Sequence, residues 1–176
     1  MRSLPLIILA VAAGPALGQP AMPTSTATFI NLDGSTAGQA TLIETDDGLF
    51  IQVAVRGLTD GPHGFHIHSV GTCDDRQAGF MASKGHVKAE GEMHGLVHPS
   101  GPELGDLPNL FSSGGVAQAQ FETPRVSLTG AGGRPSLLDQ DGSALVIHAG
   151  PDDQMTQPIG NSGGRVMCAV VGPVGR

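Results

Sequence analysis

The sequence predicts an all-β protein, an antiparallel sandwich or barrel built from about eight short strands. Three observations lead to this fold class. Short segments with the alternation of β-strands are separated by turn residues at close intervals. No window of useful length shows the periodicity of an amphipathic helix. The 27 glycines and 13 prolines leave many residues for the connections between strands.

Turn signals and connection lengths organise the predicted strands. Asp33-Gly34 and Asp47-Gly48 favour tight hairpin turns between the first three strands. Two later connections, 69–113 and 150–164, are unusually long. Such loops are usually functional or disordered, and the histidines and aspartates inside these two favour function. The eight predicted strands are 26–32, 39–44, 49–56, 64–68, 115–121, 126–129, 143–149 and 165–171.

Residues 1–18 have the features of an export signal. Arg2 supplies a positive charge, 4–13 is an apolar run, and Ala16-Leu17-Gly18 offers the small residues read by a signal peptidase. The apolar run is too short to span a bilayer, and a buried N-terminal strand is the weaker interpretation. We therefore expect residues 19–176 to form a single domain located in the periplasm, with no membrane span.

The charge of the chain excludes one class of partner. A formal charge of −7 argues against nucleic acid, which needs a basic surface. The chain also contains no Trp and no Tyr, the side chains best suited to stacking on bases. We therefore expect no nucleic-acid partner.

The chain has two cysteines, Cys73 and Cys168. In an oxidising compartment an isolated pair usually forms a disulfide, so we expect these two to be bonded. Closing the loop of 95 residues (168 − 73) stabilises a fold by up to about 4–5 kcal/mol on the loop-entropy model. Two buried free thiols are the less favoured alternative.

The histidines indicate a metal site. His66 and His68 are two apart on a predicted strand, so their side chains project from the same face and can ligate copper or zinc together. Alone this pair is weak evidence, because two polar residues on a solvated strand face look the same. His148 ends an apolar strand, and His86 and His94 lie in the first long loop. Asp106, in a turn of that loop, adds a possible oxygen ligand.

Taken in order, these segments resemble the copper,zinc superoxide dismutase family over nearly the whole chain after residue 18. The resemblance implies an eight-stranded Greek-key β-barrel of immunoglobulin-like architecture, with two long functional loops, found as a monomer or a homodimer. The combined order is highly specific, although no single segment is. The matching segments are HGFHIH (63–68), GH (85–86), HGL (94–96), GDLPNL (105–110), LVIHAG (145–150) and GNSGGRVMC (160–168).

The resemblance implies two metal sites that share one histidine. Copper is expected on four histidines and zinc on His86, His94, Asp106 and a third histidine at position 103. That position holds Glu103, a departure from the family pattern. Three alternatives stay open: Glu103 ligates zinc, His98 takes its place, or zinc binds weakly or not at all. The expected copper ligands are His66, His68, His86 and His148.

The resemblance also implies roles for residues around the metals. Asp152 ties a copper histidine to a zinc histidine, and Arg165 draws the anionic substrate to copper. His86 bridges the metals and delivers a proton during catalysis. His63 is structural and binds no metal. Dismutation of superoxide to O2 and H2O2 is thus the expected reaction, and it would protect the cell envelope from oxidative stress.

Three other functions are weighed against this one. A non-catalytic periplasmic copper-binding protein would keep the copper ligands without fast turnover. A copper-only dismutase would have a degenerate zinc site at Glu103. A β-sandwich interaction domain would bind no metal, and its histidines would not converge.

Overall fold

The computed structural model describes residues 21–172, so the predicted export signal at 1–18 lies outside the described residues and stays a prediction. Within residues 21–172, no helix is both long and apolar enough to cross a membrane. The helical turns there are three short 3-10 segments: Arg76–Ala78, Met81–Ser83 and Ala131–Gly133. The strands are β1 (Thr24–Asn31), β2 (Thr36–Thr45), β3 (Gly48–Arg56), β4 (Gly61–His63), β5 (Phe65–His68), β6 (Leu110–Ser113), β7 (Val116–Thr123), β8 (Ala144–His148) and β9 (Arg165–Val170).

The strands form one antiparallel sheet in the order β4-β6-β7-β3-β2-β1-β9-β8-β5. The two end strands, β4 and β5, are separated in the chain by Gly64 alone, which brings the ends of the sheet together as a nearly closed barrel. β9 returns over a long distance in sequence to pair with β1, the type of connection found in a Greek key. The predicted all-β antiparallel fold is confirmed.

The strand predictions differ from the structure in two respects. Segment 126–129 is not a strand: Ser127 forms one isolated bridge to Ser136, although Val126 and Leu128 are buried as a strand face would be. β4 and β6 were not predicted from the sequence. β4 is three residues long and contains Pro62, and β6 has four residues inside a long connection, so neither carries a readable alternation.

Alternating side chains fill the barrel. In β3, Leu49, Ile51, Val53 and Val55 point into the core, whereas Arg56 and its outward neighbours face solvent. Burying each of these aliphatic side chains contributes about 1.5–3 kcal/mol. Three aromatic rings complete the centre of the core: Phe65 lies 5.3 Å from Phe121 and 6.4 Å from Phe29 between ring centroids.

β5 is buried on both faces, and this places the histidine pair. Phe65 and Ile67 point into the core, so the strand period of two turns His66 and His68 to the outer face. That outer face is covered by the long connection between β5 and β6, which spans residues 69–109. The pair is therefore inside the protein although it lies outside the barrel.

A disulfide anchors the covering loop. The Sγ atoms of Cys73 and Cys168 are bonded, with the Cα atoms 5.8 Å apart, which confirms the predicted pairing. The two half-cystines pack in a small apolar cluster with Phe80 and Val146. The loop is thus fixed against β8 and β9, beside His148, which ends β8.

Candidate metal centre

Three backbone segments that carry the candidate ligands are joined by a ring of hydrogen bonds. The Ile67 N–H donates to the Gly105 carbonyl (2.9 Å), the Gly105 N–H to the Val87 carbonyl (2.7 Å), and the Val87 N–H to the Ile67 carbonyl (2.9 Å). A side chain at Gly105 would place its Cβ 2.2 Å from the Ile67 oxygen, so glycine is required there. The ring holds 66–68, 86–87 and 103–106 side by side, and their side chains meet on one side of it.

Four histidines form the first candidate group. One ligand nitrogen from each lies within 4.8 Å of the others, and all four residues are buried. These nitrogens, His66 Nδ1 and the Nε2 atoms of the other three, have no hydrogen-bond partner among residues 21–172. The members of the group are His66, His68, His86 and His148.

The opposite nitrogen of each ring is fixed by an acceptor. His66 Nε2 donates to Asp152 (2.7 Å), His68 Nδ1 to the Lys84 carbonyl (2.8 Å), and His148 Nδ1 to the Gly163 carbonyl (2.9 Å). With the N–H placed there, the converging nitrogens carry lone pairs. A buried polar atom without a partner costs about 1–3 kcal/mol. A metal that accepts four imidazoles removes that cost, so the residues fit copper.

The second candidate group shares His86 with the first. His86 Nδ1 lies 2.8 Å from Glu103 Oε2 and 3.1 Å from Asp106 Oδ1, and His94 Nδ1 lies 2.8 Å from the same Asp106 oxygen. The four ligand atoms fall within 4.8 Å of one another. Two imidazoles and two carboxylates are donors that zinc accepts. His98 lies outside this group, and its Nδ1 accepts a hydrogen bond from the Ser100 N–H.

Asp152 connects the two groups. Its Oδ2 accepts from His66 Nε2 (2.7 Å) and its Oδ1 from His94 Nε2 (3.1 Å). Asn109 holds the backbone of Asp152 in a reciprocal pair: Asn109 Nδ2 donates to the Asp152 carbonyl, and the Asp152 N–H donates to Asn109 Oδ1, each at 2.8 Å. The orientation of both histidine rings is therefore set by one well-anchored carboxylate.

Three of the four histidines of the first group are neutral at pH 7. Burial lowers the pKa of His66 to about 3 and that of His148 to about 4. Burial also holds the pKa of His68 well below its ordinary value. Because a metal binds the neutral imidazole, three of these four rings are already in the ligating state.

In the second group the neighbouring carboxylates raise the pKa values of the histidines. Burial alone would lower the pKa of His94, but hydrogen bonds to Asp106 and Asp152 outweigh it and raise this pKa to about 10. Asp106 and Glu103 likewise outweigh burial at His86 and raise its pKa. The same contacts lower the pKa of Asp106 and of Glu103 despite their burial. Without metal, this side is a cluster of ion pairs.

Arg165 lies at the start of β9, and its guanidinium reaches the loop that covers the histidines. It donates to the Phe80 carbonyl and to the Lys84 carbonyl, each at 2.6 Å, and to Ser83 Oγ at 3.0 Å. The Lys84 carbonyl therefore accepts from both Arg165 and His68. Arg165 is thus linked to the candidate copper ligand His68 by two hydrogen bonds through one shared carbonyl.

His63 takes no part in either group. Its Nδ1 is 2.7 Å from the His148 carbonyl and its Nε2 is 2.9 Å from the Thr59 carbonyl, consistent with the structural role expected of it.

Several supporting residues were missed by the sequence analysis. Gln157 exchanges hydrogen bonds with the backbone of His94, Arg125 donates to the Asp106 carbonyl, and Lys88 contacts Glu103. Apart from Asn109, which lies inside the GDLPNL segment, no sequence signal marks them. Their contacts are set by the folded conformation of the loops, which the sequence pattern does not indicate.

Two candidate metal groups joined by a shared histidine, set on the outside of an antiparallel β-barrel, are typical of a metal-dependent oxidoreductase. The sequence profile of the family described as copper/zinc superoxide dismutase (SODC) matches residues 36–171. The chain belongs to the copper/zinc superoxide dismutase family, which makes it an enzyme of superoxide dismutation.

Relatives support this assignment over most of the chain. A copper-zinc superoxide dismutase of Caulobacter vibrioides is 46% identical over 141 residues, covering 79% of this chain and 80% of the relative. A second, from Aquifex aeolicus, is 41% identical over 147 residues, covering 82% and 84%. A solved structure of a SOD-like protein from Bacillus subtilis is 35% identical, has a TM-score of 0.77, and is matched over 83% of this chain and 97% of that one.

Proposed function

We propose that this protein dismutates superoxide in the periplasm, after export directed by residues 1–18, and protects the cell envelope. Copper is held by His66 Nδ1 and by the Nε2 atoms of three further histidines, His68, His86 and His148. Zinc is held by His86, His94, Glu103 and Asp106. The disulfide supports an oxidising location.

The observation that carries this proposal is the set of four converging imidazole nitrogens. All four are buried and lack hydrogen-bond partners among residues 21–172. The opposite nitrogen of each ring is hydrogen-bonded to an acceptor, which for His86 is a carboxylate of the second group. A cation at the centre of this set would satisfy all four nitrogens at once.

Copper, when bound, supplies the one-electron redox chemistry by which two superoxide anions and two protons give O2 and H2O2, whereas zinc has no redox chemistry. The protein supplies charge, orientation and protons. Arg165 provides positive potential for an anion in a chain of net charge −7. His86 Nε2 would hold a proton for the product when it is not bound to copper. Asp152 keeps His66 and His94 oriented.

Glu103 is the zinc ligand that replaces a histidine. Its side chain is buried, and one oxygen lies among the other three donors of the group. His98 is held away by its own bond to Ser100, which argues against its taking this position. The two carboxylates make the site more anionic than one with three imidazoles.

The test is the metal content and activity of the exported protein. Protein purified from the periplasm without chelator is weighed by native mass spectrometry, and its dismutation rate is measured by pulse radiolysis. One copper and one zinc per chain with fast turnover is the expected result. Copper with no zinc would make it a copper-only dismutase. A copper-loaded protein without turnover would make it a non-catalytic copper-binding protein.

A matched pair of variants tests the copper ligands directly. His148→Gln removes one of the four converging nitrogens and is expected to lose copper and activity. His98→Gln, in the covering loop and outside both groups, is expected to keep both copper and activity. Equal copper content in the two variants would contradict the ligand assignment.

A further inference from the structure

Lys88 lies beside the zinc-side group without belonging to it. Its Nζ is 3.1 Å from Glu103 Oε1, whereas Glu103 Oε2 lies 2.8 Å from His86 Nδ1. The two oxygens of one carboxylate thus have different partners. The side chain of Glu103 is 6% exposed and that of Lys88 is 55% exposed. The ammonium therefore closes the solvent side of a buried carboxylate.

The backbone holds Lys88 in this position. The backbone N–H of Val87 donates to the Ile67 carbonyl, and the Val87 carbonyl accepts from the Gly105 N–H. His86 and Lys88 flank Val87 and both contact Glu103, one at each carboxylate oxygen. The carboxylate is further fixed through its own backbone, because the Glu103 N–H donates to Asp106 Oδ2 at 2.9 Å. The contact is built into the arrangement of the site.

The formal charge of the group explains what Lys88 adds. In the copper-free site, where His86 is a neutral imidazole, three imidazoles and one carboxylate would have a charge of −1, and Glu103 in place of one imidazole makes it −2. The Lys88 ammonium returns the sum to −1. A carboxylate can also offer two oxygens to a metal, whereas an imidazole offers one nitrogen. With Oε1 bound to Lys88, Glu103 has one oxygen left for the zinc position.

We infer that Lys88 is a positioning residue for zinc, and that Glu103 and Lys88 together replace one neutral imidazole ligand. Lys88 compensates the added negative charge and limits Glu103 to a single donor oxygen, which keeps the site four-coordinate. This inference rests on the proposed function, because it requires Glu103 to ligate zinc. It assigns Lys88 no contact with the substrate.

The test compares the charge-removing variant Lys88→Met in two backgrounds. Zinc affinity is measured by competition with a chromophoric chelator on the copper-free full chain. In the natural background we expect about tenfold weaker zinc binding, the lower end of the effect of removing a partner of a metal ligand, because Lys88 is half exposed. In the Glu103→His background we expect the same substitution to change affinity less than about twofold, since Glu103, the carboxylate that Lys88 contacts, is gone.

A second readout reports coordination. The visible spectrum of bound Co2+ distinguishes four-coordinate sites from higher coordination numbers. In Lys88→Met, Glu103 is free to use both oxygens, so we expect the intense bands of a tetrahedral site to weaken. Arg56→Met, which removes one positive charge from the exposed outer face of β3, controls for net charge and is expected to leave both readouts unchanged.

The remaining outcomes distinguish the role of Lys88 from the role of Glu103 as a zinc ligand. Unchanged zinc affinity in Lys88→Met, together with weakened affinity in Glu103→Gln, would overturn the role of Lys88 and leave Glu103 as a ligand. Unchanged affinity in both would remove Glu103 from the zinc site and the role of Lys88 with it. Equal weakening by Lys88→Met in both backgrounds would also overturn the inference, because the effect would then not depend on Glu103.

Discussion

The Asp152 Oδ2 atom lies 2.7 Å from His66 Nε2, and this contact is half of a link between the two candidate metal sites. The other oxygen of Asp152 accepts from His94 at 3.1 Å. One carboxylate therefore orients a proposed copper ligand and a proposed zinc ligand. A carboxylate that accepts a hydrogen bond from a metal-ligating histidine fixes the ring and raises its basicity. A change at Asp152 is therefore expected to affect both sites.

Asp152→Asn is expected to weaken copper and zinc binding together. The amide keeps the shape of the carboxylate but has one acceptor oxygen, so it cannot accept from both rings. We expect a loss of about 10–100-fold in the affinity for each metal, measured by chelator competition. Asp153→Asn, at the exposed neighbouring residue, is the control. A loss confined to one metal would show that Asp152 does not couple the sites.

Much of the copper side could be predicted because it follows strand geometry. The period of two places His66 and His68 on the face opposite Phe65 and Ile67, and the structure has that alternation. His148 follows from the end of β8 in the same way. The strand prediction at 126–129 was wrong for a related reason: buried Val126 and Leu128 mimic an inward face without a strand partner beside them.

The zinc side could not be derived from periodicity. His86, His94 and Glu103 come from a loop, where side-chain direction is set by backbone hydrogen bonds that any residue can form. The bonds between Ile67, Val87 and Gly105 leave no pattern in the sequence beyond one glycine. The resemblance to a family supplied the positions of the ligands there. It gave no indication of Lys88, since its partner Glu103 departs from the family pattern.

Arg165→Met is expected to slow the reaction with superoxide without loss of copper. Removing a focused positive charge lowers the association rate of an anion by about tenfold or more. The measurement is kcat/KM by pulse radiolysis at several ionic strengths, and the variant should also show a weaker salt dependence. Arg56→Met on the outer face of β3 serves as the charge-matched control.

Two results would contradict the steering role of Arg165. One is an unchanged rate. The other is a loss of copper that accounts for the whole decrease, because Arg165 also donates to the carbonyl that binds His68. Arg165→Lys separates charge from hydrogen bonding: it keeps the cation but cannot reach both carbonyls with a planar fork.

Loss of the disulfide is expected to destabilise the fold. The bond joins Cys73 in the covering loop to Cys168 in β9 and closes a separation of 95 residues. Cys73→Ser together with Cys168→Ser should lower the free energy of unfolding by about 2–5 kcal/mol in urea titrations of the metal-free chain. The control is the natural chain with and without reductant, which should reproduce the shift. A change below about 1 kcal/mol would contradict a structural role for the bond.

Zinc binding is expected to release about one more proton than copper binding at pH 7. The pKa of His94 is raised to about 10, so at pH 7 this ring holds an extra proton that zinc must displace. His86 belongs to both groups, so any proton it holds is displaced by either metal. The pKa values of His66 and His148 on the copper side are lowered to about 3 and 4, so these rings release no proton at pH 7. The affinity for zinc therefore rises with pH more steeply than that for copper, by about tenfold per pH unit between pH 7 and 8.

Proton release is measured by titration calorimetry of the metal-free chain in buffers of different ionisation enthalpy. A group with a raised pKa is protonated below that value, so the difference between the metals should disappear as the pH approaches 10 and His94 loses its proton. His94→Gln removes the ring that distinguishes the two sites, and its remaining zinc binding should release about as many protons as copper does. Equal proton counts for the two metals in the natural chain at pH 7 would contradict the ion pairs of His94 with Asp106 and Asp152.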